Sequence, residues 1–151
     1  MIIVIDAAEA IEGIGAHLSR MQNLKPLFTA LGEWQMDNAM TRIESTKMSP
    51  YGVLWEPWSV RRARERKEKG NVDLGLLHDT GALLGSFSYE ATRDGVEIGT
   101  DISYAPMLQF GTDSMLPRPF MPDEEFGGLP EEDIVHLEFL SNLYMQGSSY
   151  A

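Results

Sequence analysis

The sequence predicts a single α+β domain, in which a small antiparallel sheet with a β-hairpin packs against one long helix. Apolar and polar side chains alternate on both sides of a turn within residues 86–100, as in a hairpin, and apolar residues recur at helical spacing within residues 24–43. A further amphipathic helix is indicated after Pro130. The chain has 151 residues, 43% of them hydrophobic. This is enough for one compact domain with a core, at about 100 to 200 residues per domain.

The N-terminal part of the chain predicts a strand followed by two helices. Residues 1–5 are continuously apolar and rich in β-branched side chains, which favours a buried strand. Asp6 can cap a short helix across residues 7–21. The longer helix is predicted over residues 24–43, with Pro26 in its first turn, where a missing N–H costs nothing. Its apolar face comprises Leu24, Leu27, Phe28, Leu31, Met36, Met40 and Ile43.

Residues 49–75 predict a projecting arm outside the core. The stretch Ser49-Pro50-Tyr51-Gly52 ends the helical pattern, and Trp55 and Trp58 follow it. Six of the twelve Lys and Arg residues then fall within positions 61–69, which carry a net charge of +4 after their two glutamates are counted, whereas the rest of the chain carries −15. The basic stretch is either a solvated charged helix or a surface that binds an acidic partner or another copy of the chain.

The hairpin pairs residues 86–92 with residues 96–100. Its turn is assigned to Asp94-Gly95, because glycine accepts a positive φ at a tight turn. A short helix or turn over residues 104–110 is predicted to end at Gly111, which suits a left-handed C-terminal cap.

Two prolines make residues 115–120 an extended loop, since the residue before a proline is kept out of the helical region. The C-terminal helix starts near Pro130, with three acidic residues favourably placed on the helix dipole. Residues 119–151 contain no Lys or Arg at all, and they contain seven carboxylates.

Composition excludes several classes of function. The balance of 23 Asp and Glu against 12 Lys and Arg gives a net charge of −11, which disfavours nucleic acid and anionic membranes as partners. The basic stretch beside Tyr51, Trp55 and Trp58 could stack and neutralise a single strand, but no recognisable nucleic-acid motif accompanies it. The longest strongly apolar stretch, residues 1–5, is far too short for a membrane span, and we expect a soluble protein made in a cytoplasm.

The sequence lacks the residue patterns that usually bind metals or cofactors. The absence of cysteine excludes a disulfide scaffold, a thiolate zinc site and a cysteine nucleophile. His17, His78 and His136 show no metal-binding spacing, which favours hydrogen-bonded or surface roles. We therefore expect no cofactor and no metal.

One motif resembles a catalytic loop. Asp79-Thr80-Gly81 is similar to the active-site loop of a retroviral-type aspartic protease, in which carboxylates from two subunits share a proton and activate water. This chemistry needs Asp79 at the tip of a loop between strands, paired by dimer symmetry. A homodimeric aspartic protease is therefore the alternative function.

A series of motifs in fixed order carries a broader resemblance. The motifs are Gly52-Val53-Leu54-Trp55-Glu56-Pro57-Trp58, Leu76-Leu77-His78-Asp79-Thr80-Gly81-Ala82-Leu83 with Ser86, Ile98-Gly99-Thr100, Tyr104-Ala105 with Gln109-Phe110-Gly111, and Pro117-Arg118-Pro119-Phe120. Together they resemble the phage virion morphogenesis (tail completion) family of Mu-like contractile-tailed phages and prophages, over about residues 1–145.

The resemblance implies a non-enzymatic protein that completes the head-proximal end of the tail and supports head–tail joining. Expected partners are further copies in a ring, sixfold to match a tail tube, together with the tail tube and the neck or head–tail connector proteins. The expected location is the host bacterial cytoplasm during assembly and then the virion. Aromatic and basic side chains of the arm and the extended loop are the expected contact residues: Trp55, Trp58, Arg61, Arg62, Arg64, Arg118 and Phe120.

Overall fold

A computed structural model describes residues 8–70, 75–78 and 80–147. Its helices are α1 (Ala8–Gln22), α2 (Lys25–Thr41), α3 (Val60–Glu68), α4 (Ala105–Phe110) and α5 (Glu131–Gln146), and its strands are β1 (Phe87–Ala91) and β2 (Val96–Thr100). A π-helical turn extends α2 over Arg42–Thr46, and 3-10 turns occupy Leu84–Ser86 and Glu124–Phe126. The α+β class, the hairpin, the long helix and the C-terminal helix are confirmed. The strand predicted at residues 1–5 lies outside the described residues.

The hairpin has the predicted strands but a different turn. Antiparallel pairing runs from Phe87 opposite Thr100 to Ala91 opposite Val96. The Thr92 N–H donates to the Gly95 carbonyl at 2.8 Å, so Arg93 and Asp94 are the central residues of the turn. Gly95 is not among the residues with positive φ, and the Thr92 hydroxyl instead accepts a hydrogen bond from the Asp94 N–H. A threonine side chain, rather than glycine freedom, therefore supports the reversal.

The long helix α2 crosses the hairpin at a glycine. A Cβ atom on Gly32 would lie 2.5 Å from Tyr89 Cδ2 and 2.9 Å from Val96 Cγ2, closer than real carbon atoms approach. The Tyr89 hydroxyl reaches past this contact and donates to Glu33 Oε1 at 2.9 Å. The absence of a side chain at Gly32 is therefore what allows the helix to sit directly on the sheet.

Replacing Gly32 by alanine is expected to lower the free energy of unfolding by about 1–3 kcal/mol, the usual cost of overpacking. The sign is diagnostic, because alanine in a helix interior otherwise stabilises by roughly 0.5–1 kcal/mol relative to glycine. Urea unfolding followed by circular dichroism measures the change. Gly85→Ala is the control, since no atom lies within 4 Å of its added Cβ. A Gly32→Ala variant as stable as the parent would contradict the close contact.

The core consists of two clusters. Leu27 and Leu31 of α2 pack against Leu140 of α5. The second cluster joins segments far apart in sequence: Ile43, Trp55, Leu83, Ala105 and Phe120. In the described part of the chain, no helix has the length and apolarity needed to cross a membrane.

Residues 49–75 do not form an arm that lies wholly outside the core. The Trp55 side chain is only 6% exposed and belongs to the second cluster, contrary to the prediction. Its indole Nε1 donates to the Pro119 carbonyl at 3.0 Å, which satisfies the polar end of an otherwise apolar side chain. The segment is thus anchored at its base by a buried ring, and α3 is its exposed part.

Candidate partner-binding groove

Residues 117–121, here called the strap, have no regular secondary structure, and Phe120 and Met121 of the strap pack in the second core cluster. Gln109 of α4 holds the strap by its main chain. Its Oε1 accepts from the N–H groups of Phe120 and Met121 at 3.0 and 3.2 Å, and its Nε2 donates to the Met121 carbonyl at 2.7 Å. A buried amide that makes three hydrogen bonds fixes the strap in one position.

Two further side chains bind the strap from the other side of the cluster. Trp55 donates to the Pro119 carbonyl, and Arg42 Nη1 donates to the Phe120 carbonyl at 3.1 Å. Burial lowers the pKa of Arg42, and the charges of Asp133 and other groups oppose that shift. The carbonyls of Pro119 and Phe120, which are shielded from water, are therefore satisfied by side-chain donors from Trp55 and from Arg42 in the π-helical extension of α2.

Arg118 connects the strap to Glu56 and Pro57, which lie between the two tryptophans Trp55 and Trp58. Its Nε and Nη2 donate to the Glu56 carbonyl at 3.2 and 2.9 Å, and Nη2 also lies 3.4 Å from the Pro57 carbonyl. The residue is 7% exposed, and burial lowers the pKa of its guanidinium, with the charge of Glu56 acting in the opposite direction. Its hydrogen bonds go to backbone carbonyls instead of the carboxylate that a surface role would favour.

Three of the seven predicted contact residues therefore lie inside the molecule. Trp55, Arg118 and Phe120 are between 2 and 7% exposed, so they maintain the fold and do not form a free contact surface. The physical reason is that Trp55 satisfies the buried carbonyl of Pro119, Arg118 satisfies those of Glu56 and Pro57, and the Phe120 ring fills the second core cluster.

The remaining predicted residues are Trp58, which precedes α3, and three arginines on that helix. Ser59 caps it by accepting from the Arg62 N–H at 3.3 Å. Arg61, Arg62 and Arg64 are exposed, and Trp58 is half-buried. Hydrogen bonds from Arg61 and Arg62 lower the pKa of Glu65 on the same helix.

Arg66 fastens α3 to the body of the protein. Its guanidinium carbon lies 4.2 Å from the centroid of the Trp58 ring, and its Nη2 donates to the His78 carbonyl at 2.9 Å. The residue is 6% exposed, so the cation–π contact is desolvated and correspondingly strong. The sequence predicts Arg66 only as part of the basic stretch. Trp58 precedes the Ser59 cap and lies outside the helix, so helical spacing alone does not predict its contact with Arg66.

A groove with a cavity volume of about 930 Å³ opens between α3 and α4. Trp58, Arg62 and Arg66 line one wall, and Leu83 and Arg118 lie at its buried base. The other wall exposes large apolar side chains: Tyr104, Met107 and Leu116 are 42, 53 and 59% exposed. Residues from four of the five motifs that are scattered along the sequence thus line one groove, and the motif Ile98-Gly99-Thr100 does not contribute to it.

The described residues on either side of Asp79 do not form the strands that the aspartic protease hypothesis requires. Asp79 lies outside the described residues. On its two sides the described residues form a turn at Leu76-Leu77 and a bend leading to the 3-10 turn Leu84–Ser86, whereas the mechanism requires a strand on each side. Within residues 8–70, 75–78 and 80–147 there is no group of three or more potential metal ligands either.

Three residues that line the groove or support the strap have no predicted individual role: Arg66, Gln109 and Arg42. Gln109 stood in a motif of the resemblance, between apolar residues of a short helix, and a polar residue on a buried helix face is the signal that could have identified it. Arg42 carries no such signal, since its partner is a main-chain carbonyl 78 residues away.

Comparison with known proteins agrees with these motifs. A sequence model of the phage virion morphogenesis family matches residues 6–136, a span that includes the strap, α3 and both walls of the groove. No curated protein and no solved structure matches significantly. The family match gives the protein a structural or assembly role in a phage and associates it with the virion. This chain belongs to the phage virion morphogenesis family.

Proposed function

We propose that this protein completes the head-proximal end of the phage tail and supports the joining of tail to head, without catalysing a reaction. The observation that carries the proposal is the groove, in which exposed apolar side chains stand on a base fixed by Gln109 and Arg118. A rigid base with an apolar rim is suited to holding a segment of another protein, because little order has to be created when the partner binds.

The charges of the groove indicate the kind of segment that it holds. Arg62 is the exposed arginine of the described lining, and the guanidiniums of Arg66 and Arg118 lie buried beneath it, where each donates to a main-chain carbonyl. Glu56 contributes the single carboxylate among the described lining residues. An apolar segment with acidic residues complements such a surface. We propose that the tail tube or a neck or head–tail connector protein supplies this segment, and that several copies, six as a match to a tail tube, form a ring at the tail end.

Electron microscopy of a lysate tests the function. A phage that lacks this protein should produce heads and tails that fail to join, and the intact gene supplied in trans should restore joined particles. Normal joined particles in the absence of the protein would overturn the proposal.

Leu116→Asp tests the groove within that assay. The exposed side chain does not support the core, so the free energy of unfolding should change by less than about 0.5 kcal/mol. A carboxylate at this apolar rim removes an apolar contact and repels an acidic segment, so joined particles should fall by about tenfold or more, the effect of a loss of roughly 1.4 kcal/mol in binding. Leu18→Asp is the control, because Leu18 is 54% exposed on α1, away from the groove lining. Equal numbers of joined particles from both variants would remove the groove from the proposal.

A further inference from the structure

The outer face of α5 carries apolar side chains that the structure does not cover. Val135 and Phe139 are 58 and 55% exposed. With Glu131, Glu132 and His136 they line a shallow hollow of about 540 Å³. The opposite face of α5 packs on α1 and α2, which leaves the hollow facing away from the core of the protein.

The rings of His136 and Phe139 form one side of this hollow, and the Trp34 ring stacks on His136. The ring centroids of Trp34 and His136 are 4.1 Å apart at an interplanar angle of 19°, and those of His136 and Phe139 are 6.1 Å apart. The exposed carboxylates of Glu131 and Glu132 lie at its edge, and no Lys or Arg occurs in residues 119–151. Aromatic faces beside carboxylates are a surface that favours guanidinium groups, which stack on rings and bind carboxylates in the same plane.

The helix α3 offers the complementary surface. Arg62 and Arg66 point toward the groove, and helical spacing places Arg61 and Arg64 on the opposite face. Both are exposed, with the Arg61 side chain at 90%, and Val60 at the start of the helix is also 90% exposed. The salt bridges that the structure gives to this helix are internal, from Arg61 and Arg62 to Glu65.

We propose that the outward face of α3 in one copy docks into the α5 hollow of a second copy. Arg61 and Arg64 meet Glu131 and Glu132, and Val60 enters the apolar part beside Val135. Donor and acceptor surfaces differ, so the contact is head-to-tail and repeats from copy to copy until a ring closes. The inference rests on the proposed ring, and it leaves the groove on the other side of α3 open to a further partner.

Cysteine crosslinking tests the contact directly, since the chain has no cysteine of its own. Arg64→Cys and Val135→Cys variants of different tag length are mixed, with and without purified tails, and oxidised. The mixed disulfide dimer should form in several-fold higher yield than in a mixture of Arg64→Cys with Glu90→Cys, which places the second thiol on the exposed side of β1. A yield no higher than this control under both conditions would overturn the proposal.

Charge reversal provides the second arm of the experiment. Arg61→Glu in the Arg64→Cys chain should reduce the crosslink, as should Glu131→Arg with Glu132→Arg in the Val135→Cys chain, and combining the two reversed chains should restore it. A crosslink that each charge reversal reduces, and that the two reversed chains together do not restore, would contradict the pairing of Arg61 and Arg64 with Glu131 and Glu132. Head–tail joining is scored separately by microscopy, so a crosslink in a phage that joins normally without the protein rejects the proposed function and keeps the contact. A phage that fails to join heads to tails without the protein, together with no crosslink above the control, rejects the contact and keeps the proposed function.

Discussion

Replacing Phe120 by alanine is expected to lower the free energy of unfolding by about 3–5 kcal/mol, the usual cost of removing a large buried ring. The side chain is 2% exposed in the cluster that joins Trp55, Leu83 and Ala105, and its ring meets the Phe87 ring edge-on with centroids 5.7 Å apart. The strap main chain is fixed by Gln109, so the cavity cannot readily collapse. Urea unfolding followed by tryptophan fluorescence measures the loss.

Phe139→Ala is the matched control for this prediction. It removes the same ring from a position that is 55% exposed, and stability should change by less than about 1 kcal/mol. Equal destabilisation by the two substitutions would contradict the assignment of Phe120 to the core and of Phe139 to an open surface. The same Phe139→Ala protein also removes part of the α5 hollow, so it should weaken the crosslink between copies while it unfolds normally.

Replacing Gly111 by alanine is expected to destabilise the protein by about 2–4 kcal/mol. The residue ends α4 with φ 78° and ψ −171°, a conformation that is essentially reserved for glycine. An added Cβ would also lie 2.6 Å from the Met115 carbonyl oxygen and 2.8 Å from the Pro117 nitrogen. Both atoms belong to the main chain, so the entry to the strap would have to move.

Gly99→Ala separates this effect from the general cost of changing a glycine. Both glycines belong to the sequence motifs, but Gly99 lies within β2 opposite Ser88, with no positive φ and no atom within 4 Å of an added Cβ. Its substitution should leave stability within about 0.5 kcal/mol of the parent. Thermal unfolding of the two variants side by side measures the difference, and a tolerated Gly111→Ala would show that the strap entry adapts.

The elements that the sequence predicted well are those whose pattern is local. Alternation within residues 86–100 and the repeat of apolar residues within residues 24–43 arise from the geometry of a strand and a helix, which neighbouring residues alone determine. The prediction of a turn centred on Asp94-Gly95 is wrong, because the preference for glycine in tight hairpin turns is a statistical tendency. The Thr92 hydroxyl supplies an alternative that needs no positive φ.

The site was less predictable, because its contacts join distant residues through the main chain. The partner of Trp55 is a carbonyl 64 residues away, and that of Arg118 is a carbonyl 62 residues away. Every residue has a main-chain carbonyl, so the sequence does not indicate which carbonyl a side chain binds. Tryptophan and arginine near prolines are therefore equally typical of an exposed contact surface and of buried residues that bind the main chain. The family resemblance grouped these motifs correctly, but it did not say which of them face inward.

The hydrogen bonds that hold the strap have a consequence for how this protein can change. Gln109, Trp55 and Arg42 all bind main-chain atoms of the strap, and Arg118 in turn binds main-chain carbonyls. The frame of the groove is therefore largely insensitive to which side chains stand at its rim. Under the proposed function, substitutions at exposed rim positions are expected to alter the partner that is recognised while the frame persists, so that one scaffold would serve virions whose neighbouring proteins differ.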